Sequence, residues 1–242
     1  MNMYEAILKR KSIRNYDMNP IDLETIKEIE EYIKTIQTFN TDIKTNIYVL
    51  TDDKKVSGLF KVKAPHYVVI DSEKKEDYLV NVGYILEQLV IYLTTKGIGT
   101  CWLGSTKPVV KNDKNSSLNF VSMIAFGTPN ETMYRESTNE FKRKDITQIS
   151  NLFEEDSIME AVRLAPSAVN RQSWFFEVFE NEISVYRQIV AVLTEKMTKV
   201  DIGIAIAHIV ISAQNEGKTV EFIKKENKMK KGYDYVITCK IV

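Results

Sequence analysis

Apolar residues follow two distinct rhythms along this chain. Leu23, Ile26, Ile29, Ile33 and Ile36 recur every three or four positions, which predicts a helix with one buried stripe, opened by Pro20 and Asp22. Tyr4–Lys11 predicts a shorter helix with Ile7 and Leu8 inward. The longest helical signal is Tyr78–Lys96, carrying Val82, Ile85, Leu86, Leu89, Val90 and Leu93 and ending at Gly97. Further helices are expected from Ile149 to Leu164 and from about Asp201 to Glu216, the latter stopped by Gly217. β-Branched and aromatic runs predict strands at Thr45–Thr51, Pro65–Asp71, Val121–Gly127, Trp174–Phe179 and Ile183–Tyr186. Two more follow in "TVEFI" and "YDYVITCKIV", joined by a turn over Lys224–Gly232. "TCWL", between Gly99 and Gly104, reads as a short buried segment. Asn130–Lys144 is polar and arrhythmic and reads as a connection.

The pattern repeats. "NVGYILEQLVIYLTTKG" and "DIGIAIAHIVISAQNEG" each carry an early glycine and a terminal one, pairing Gly83 with Gly203 and Gly97 with Gly217. The early glycine suits close helix packing or close approach of backbone to a ligand. Strands precede and follow each helix in comparable order. The expected architecture is α+β, with two similar α/β lobes packed as a dimer made from one chain. The first half covers 1–148 and the second 149–242, closely packed rather than independent.

Composition narrows the partners. The 242 residues are 44% hydrophobic, enough for a substantial core, and 33 basic side chains balance 33 acidic ones. That balance does not favour nucleic acid or an anionic membrane. The amino terminus lacks the apolar core of a signal peptide, and no apolar run is expected to span a membrane. Cys101 and Cys239 form neither a disulfide framework nor, with His66 and His208, a zinc motif. The expected setting is cytoplasmic.

Three segments carry candidate chemistry. "APSAVNRQSW", Ala165–Trp174, ends a helix at Pro166 and then gathers the Ser167 hydroxyl with the Asn170 and Gln172 amides. Alone it reads equally as a helix stop whose polar groups cap backbone. "RKSIR", Arg10–Arg14, sets two guanidinium groups around a hydroxyl, a phosphate-binding combination, although a solvated basic helix end has the same composition. "GIGTCWLG", Gly97–Gly104, has the compactness that lets backbone approach a ligand.

These segments together resemble the nitroreductase family. "APSAVNRQSW" is similar to its flavin-contacting Ala-Pro-Ser…Asn…Gln-Pro-Trp segment, with Ser173 where proline is usual. "RKSIR" resembles its Arg-x-Ser-x-Arg segment, "GIGTCWLG" its Gly-Leu-Gly-x-x-Trp segment, and "FKRKDI" its late basic segment. The resemblance implies FMN as cofactor, held by Arg10, Lys11, Ser12, Arg14, Leu103, Gly104, Arg143, Pro166, Ser167, Asn170 and Gln172. Lys142 is a weaker match than Arg143. Arg10 and Ser12 would meet the phosphate region, and Arg14 the pyrimidine edge, where it would tune the flavin. The phosphate set occurs only in the first half and the Ser/Asn set only in the second. The chain therefore resembles a fused, two-lobed branch of the family, a monomer with an internal pseudo-dimer and a single FMN site. The implied activity is transfer of reducing equivalents from NAD(P)H to a nitroaromatic, quinone or similar small-molecule acceptor. With no GxGxxG fingerprint, the nicotinamide would dock transiently over the flavin. A non-catalytic flavin- or small-molecule-binding protein is the alternative.

Overall fold

A computed structural model describes residues 1–59, 61–109, 117–154, 156–226 and 228–242. Of the expected Lys224–Gly232 turn, Asn227 lies outside the described residues. Two long helices form the centre, α3 (Tyr78–Thr95) and α6 (Val192–Asn215), and they cross where the repeat placed its early glycines. A Cβ on Gly83 would stand 2.1 Å from the Val200 carbonyl oxygen, and one on Gly203 would stand 2.0 Å from that of Val80. Only hydrogen fits between the backbones there, so the crossing distance is fixed by the absence of two methyl groups.

Each helix carries a four-stranded antiparallel sheet. The first contains β1 (Thr45–Leu50), β3 (His66–Ser72), β4 (Gly99–Leu103) and β6 (Asn119–Gly127), ordered β1-β3-β6-β4. The second contains β7 (Trp174–Phe179), β8 (Glu182–Gln188), β9 (Val220–Ile223) and β10 (Tyr233–Ile241), ordered β7-β8-β10-β9. Element for element, the order is the same. A two-stranded ribbon of β2 (Val56–Gly58) and β5 (Thr106–Pro108) lies outside both.

Packing explains the strand patterns. β3 is buried at every position because its sheet is covered on both faces. Val68 and Ile70 meet Ile85, Leu86 and Leu89 of α3, with Ile26 and Ile29 of α2 (Leu23–Thr35) in the same cluster. Tyr67 and Val69 face a second cluster that includes Ile13, Tyr16 and Val56. In the other lobe Trp174, Phe176, Ile183 and Val185 pack with Ile202, Ala205, Ile206 and Ile209 of α6. Val80 and Tyr84 of α3 join that core, so the apolar interior is continuous between lobes.

Four expectations need correction. α6 begins at Val192, not near Asp201. Its first turns project into solvent, with Val192 and Leu193 exposed and Glu195 paired to Lys199 at 2.8 Å, so they show no buried stripe. The expected helix from Ile149 is two: α4 (Ile146–Ile149) and α5 (Ser157–Arg163). Asn130–Lys144 is more than a connection: it pairs with the chain after α1 (Met3–Lys9) and buries Phe141 beside Ala6 and Ile7. Finally, α6 is by length and composition apolar enough to cross a membrane, contrary to expectation; 78% of its most apolar window is buried inside the protein.

Candidate active site

The site is assembled where three stretches of irregular backbone meet. α1 is closed at its start by a reciprocal cap between Asn2 and Glu5, and it ends at Lys9. Arg10 has already turned extended, with φ −60° and ψ 146°. The chain then runs along β4: Ser12 bridges to Thr100, and the Ile13 N–H donates to the Thr100 carbonyl at 2.8 Å. Gly99 permits this approach, since a Cβ there would lie 2.8 Å from Ile13 Cγ1.

Arg10 is 2% exposed and spends one terminal N–H on Ser12 Oγ at 3.3 Å, while among the described residues its buried Nε has no partner. Arg135 donates to the Arg10 carbonyl and stacks 3.9 Å from the centroid of the Phe141 ring. Arg143 stands 5.6 Å from the same ring. Burial, then Arg10, Arg135 and Arg163, push the Arg143 guanidinium down to about 10, against an opposing pull from Glu87. Burial and Arg10 also depress Arg135, with Glu140 opposing. Among the described residues, no carboxylate lies within ion-pair distance of Arg10, Arg135 or Arg143. Three guanidinium groups gather here without a carboxylate partner; Arg143 is satisfied by the Ala165, Leu164 and Lys142 carbonyls and Asn170, whereas Arg10 keeps a buried free donor, so the cluster is a candidate anion site.

Arg143 also couples this cluster to the second half of the chain. Its Nε donates to the Ala165 carbonyl at 3.0 Å, and its Nη1 to Asn170 Oδ1 at 2.7 Å. Asn170 Nδ2 returns a bond to the Lys142 carbonyl at 2.7 Å. The loop is tightly wound: Val169, Asn170 and Gln172 take φ of 47°, 56° and 52°, a left-handed region costly for side-chain-bearing residues. Hydrogen bonds hold it there. The Gln172 N–H donates to Ser167 Oγ at 2.9 Å, the Lys144 N–H to Gln172 Oε1 at 2.8 Å, and the Ala168 N–H to Asp201 Oδ1 at 2.9 Å. Val169 at the loop tip is 90% exposed, and Pro166 and Ser167 are half-buried.

The expected residues are thus placed unequally. Arg10, Ser12 and Arg143 form one group, joined through Asn170 to Ser167 and Gln172. Lys11 pairs instead with Glu131 at 3.7 Å, and the Arg14 and Asn15 backbone N–H groups donate to the same carboxylate. Among the described residues, no hydrogen bond or ion pair ties the Lys11 or Arg14 side chain to the loop. Leu103 is buried in the first lobe, and Gly104 opens onto free space.

Several contributors were not anticipated. Arg135 lies in a stretch without any motif. Asp201 underlies the loop with its second oxygen buried and, among the described residues, unpartnered, and burial raises its carboxyl to about 7 against the hydrogen bond from the Ala168 N–H. Its counterpart in the repeat, Asn81, accepts the Phe39 N–H at 2.8 Å, and that equivalence was available from the sequence. A buried polar chain also crosses the helix pair. Trp102 Nε1 donates to Glu87 Oε2 at 2.8 Å, and Glu87 Oε1 lies 3.0 Å from His208 Nε2. His208 Nδ1 meets the Ala161 carbonyl at 2.7 Å and must carry a proton, because a carbonyl only accepts.

Duplicated sheet-and-helix lobes about a central helix pair define a nitroreductase-like α+β fold. The chain belongs to the family described as "Putative TM nitroreductase", whose model matches residues 2–213. That membership assigns it generally to the nitroreductase-type oxidoreductases. It is similar to a protein of Thermotoga maritima MSB8 described as a "putative nitroreductase (tm1586)", with 25% identity, 99% of this chain and 94% of that one covered, and a TM-score of 0.69. A nitroreductase family protein (cd3355) of Clostridium difficile 630 shares the fold at 15% identity and a TM-score of 0.52, over 64% of this chain and 99% of that one. No curated protein matches the chain.

Proposed function

We propose that the cleft between the lobes holds one FMN and that the protein passes reducing equivalents from NAD(P)H to a small acceptor of nitroaromatic or quinone type. The observation that supports this most is the cluster of Arg10, Arg135 and Arg143, in which buried Arg10 Nε has no partner and no carboxylate is within ion-pair reach among the described residues. A phosphate monoester fits that demand, since its oxygens accept from guanidinium forks.

Bound FMN would supply the hydride and electron chemistry. This chain's own residues would bind and orient it. Arg10, Ser12, Arg135 and Arg143 would take the phosphate. The Ser167, Asn170 and Gln172 segment, fixed by its internal hydrogen bonds, would present polar groups to the ring edge. Open space at Gly104 would leave backbone accessible beside the ring. Arg143 would serve both ends, since it is hydrogen-bonded to the loop and electrostatically coupled to Arg10. Arg14 remains the proposed tuner, its positive charge favouring electron density on a nearby ring.

The test is an absorption spectrum of protein purified without added flavin, followed by anaerobic NADH or NADPH and then an acceptor. Near one FMN per chain, bleached by the nicotinamide and restored by the acceptor, is expected. Flavin that neither donor reduces would leave only a binding role, and the absence of flavin binding would refute the proposal.

A further inference from the structure

The internal repeat places a counterpart to the proposed FMN site, and a cavity stands among its residues. β1 and β7 open their sheets in the same register, with Thr45 opposite Ser72 and Trp174 opposite Arg187. Counting back from these strands sets Thr38 against Ser167 and Thr41 against Asn170. The helices agree: Asn81 accepts from Phe39 just as Asp201 accepts from Ala168. Counting forward from Gly97 and Gly217 sets Val220 against Thr100 and Phe222 against Trp102. Thr38, Thr41, Val220 and Phe222, with Tyr84 and Gln214, line a single cavity of about 520 Å³.

Its origin is a missing segment. In the first lobe, the chain carrying Arg10–Arg14 lies along β4 at Thr100. β9 is likewise an edge strand, and among the described residues no strand pairs with its outer side. The cavity lies where that chain would run. Its chemistry is also altered. Among the described residues no charged side chain lines it, whereas the proposed FMN site gathers three guanidinium groups. Phe222 is held by Tyr84, edge to face with centroids 5.9 Å apart, and by Phe39 at 5.0 Å, and it reaches the cavity beside threonine hydroxyls and glutamine amides.

We infer that this cavity is a second ligand site, selective for a neutral planar heteroaromatic molecule of about flavin-ring size that carries no phosphate. Its volume falls within the range of small-molecule pockets, roughly 300–1,000 Å³. Hydroxyls and amides satisfy ring-edge donors and acceptors, and the half-buried Phe222 ring packs against the ligand ring. A phosphate would enter without a counter-charge and lose its hydration, so the site rejects FMN. The assignment of the repeat as a flavin-type cleft rests on the proposed function above; the uncharged lining does not.

The probe is riboflavin, a neutral isoalloxazine, titrated by equilibrium dialysis into FMN-saturated protein. One FMN plus one riboflavin per chain is expected, with the riboflavin affinity insensitive to salt. Thr38→Trp, which fills the cavity, should abolish the riboflavin equivalent and leave FMN stoichiometry unchanged, which also verifies folding. Phe222→Ala should weaken riboflavin roughly threefold to tenfold through loss of ring contact. Riboflavin that only displaces FMN, a second equivalent unmoved by Thr38→Trp, or two FMN per chain would each overturn the inference. Riboflavin binding sensitive to Thr38→Trp in a protein that takes no FMN would support the second site while refuting the first.

Discussion

Gly83→Ala tests the crossing of α3 and α6 directly. The added Cβ would lie 2.1 Å from the Val200 carbonyl oxygen, whereas real Cβ contacts essentially never fall below 3.0 Å. The two helices must part by roughly 0.9 Å, a gap that forfeits about a quarter to a half of each dispersion contact around the crossing. Because the obstacle is main chain and cannot swing aside, the cost belongs near the top of the overpacking range, about 3 kcal/mol. Replacing a helical glycine returns about 1 kcal/mol of propensity, leaving a net loss of about 2 kcal/mol. In urea, followed by circular dichroism at 222 nm, the midpoint should fall by about 1 M at unchanged slope. Gly203→Ala should behave alike, since its Cβ meets the Val80 carbonyl oxygen at 2.0 Å. The double variant is the sharper measurement. One separation relieves both clashes, so Gly203→Ala added to Gly83→Ala should cost almost nothing or restore stability slightly. Strictly additive losses, or a Gly83→Ala midpoint equal to wild type, would refute a crossing set by these two glycines.

Other outcomes follow from the site. Arg135→Ala should weaken FMN binding ten- to hundredfold by deleting a charge-assisted phosphate contact, read by flavin fluorescence; unchanged affinity would remove Arg135 from the site. Asp201 has its carboxyl raised to about 7. The folded chain therefore keeps a proton that the unfolded chain releases near pH 4, and stability should fall as pH rises from about 4 to about 7, then level off. Asp201→Asn, which copies Asn81, should match wild type at pH 4 and exceed it at pH 8 by up to about 4 kcal/mol; equal stabilities at pH 8 would contradict a buried, protonated carboxyl. Glu87→Ala leaves buried Trp102 Nε1 without its acceptor and removes the hydrogen-bond partner of His208 Nε2, and should cost about 1–3 kcal/mol for each group left unpaired, measured by the same urea titration.

Much of the fold was legible because burial there leaves a period. The stripe of α2, the glycine-bounded cores of α3 and α6, and the strands of both sheets all follow from where apolar side chains must point. Periodicity was silent where burial was one-sided or slight. The first two turns of α6 hold their helix with solvent-facing residues such as Glu195 and Lys199 and touch little core. β2 and β5 are three residues each, too short to show alternation. Asn130–Lys144 looks like a linker because its task is polar: Tyr134 donates its hydroxyl to the Thr94 carbonyl at 2.9 Å, and Arg135 reaches back to Arg10. The loop segment 165–172 stood out through its proline and amides. Its left-handed residues did not, since Val169 and Gln172 give no local sign of that conformation. Asp201 was hidden among helical residues, and only alignment of the two halves exposes it.

Joining both lobes in one polypeptide frees each from its mirror image. In a homodimer every amino-acid change appears twice, so a residue that improves one pocket must be tolerated in the other. Here Asp201 faces one loop and Asn81 the other, Trp102 holds a glutamate while Phe222 packs against the rings of Tyr84 and Phe39, and neither choice constrains its twin. Equivalent positions of the two lobes can therefore diverge in charge and polarity within one gene, and selection can act on either lobe alone.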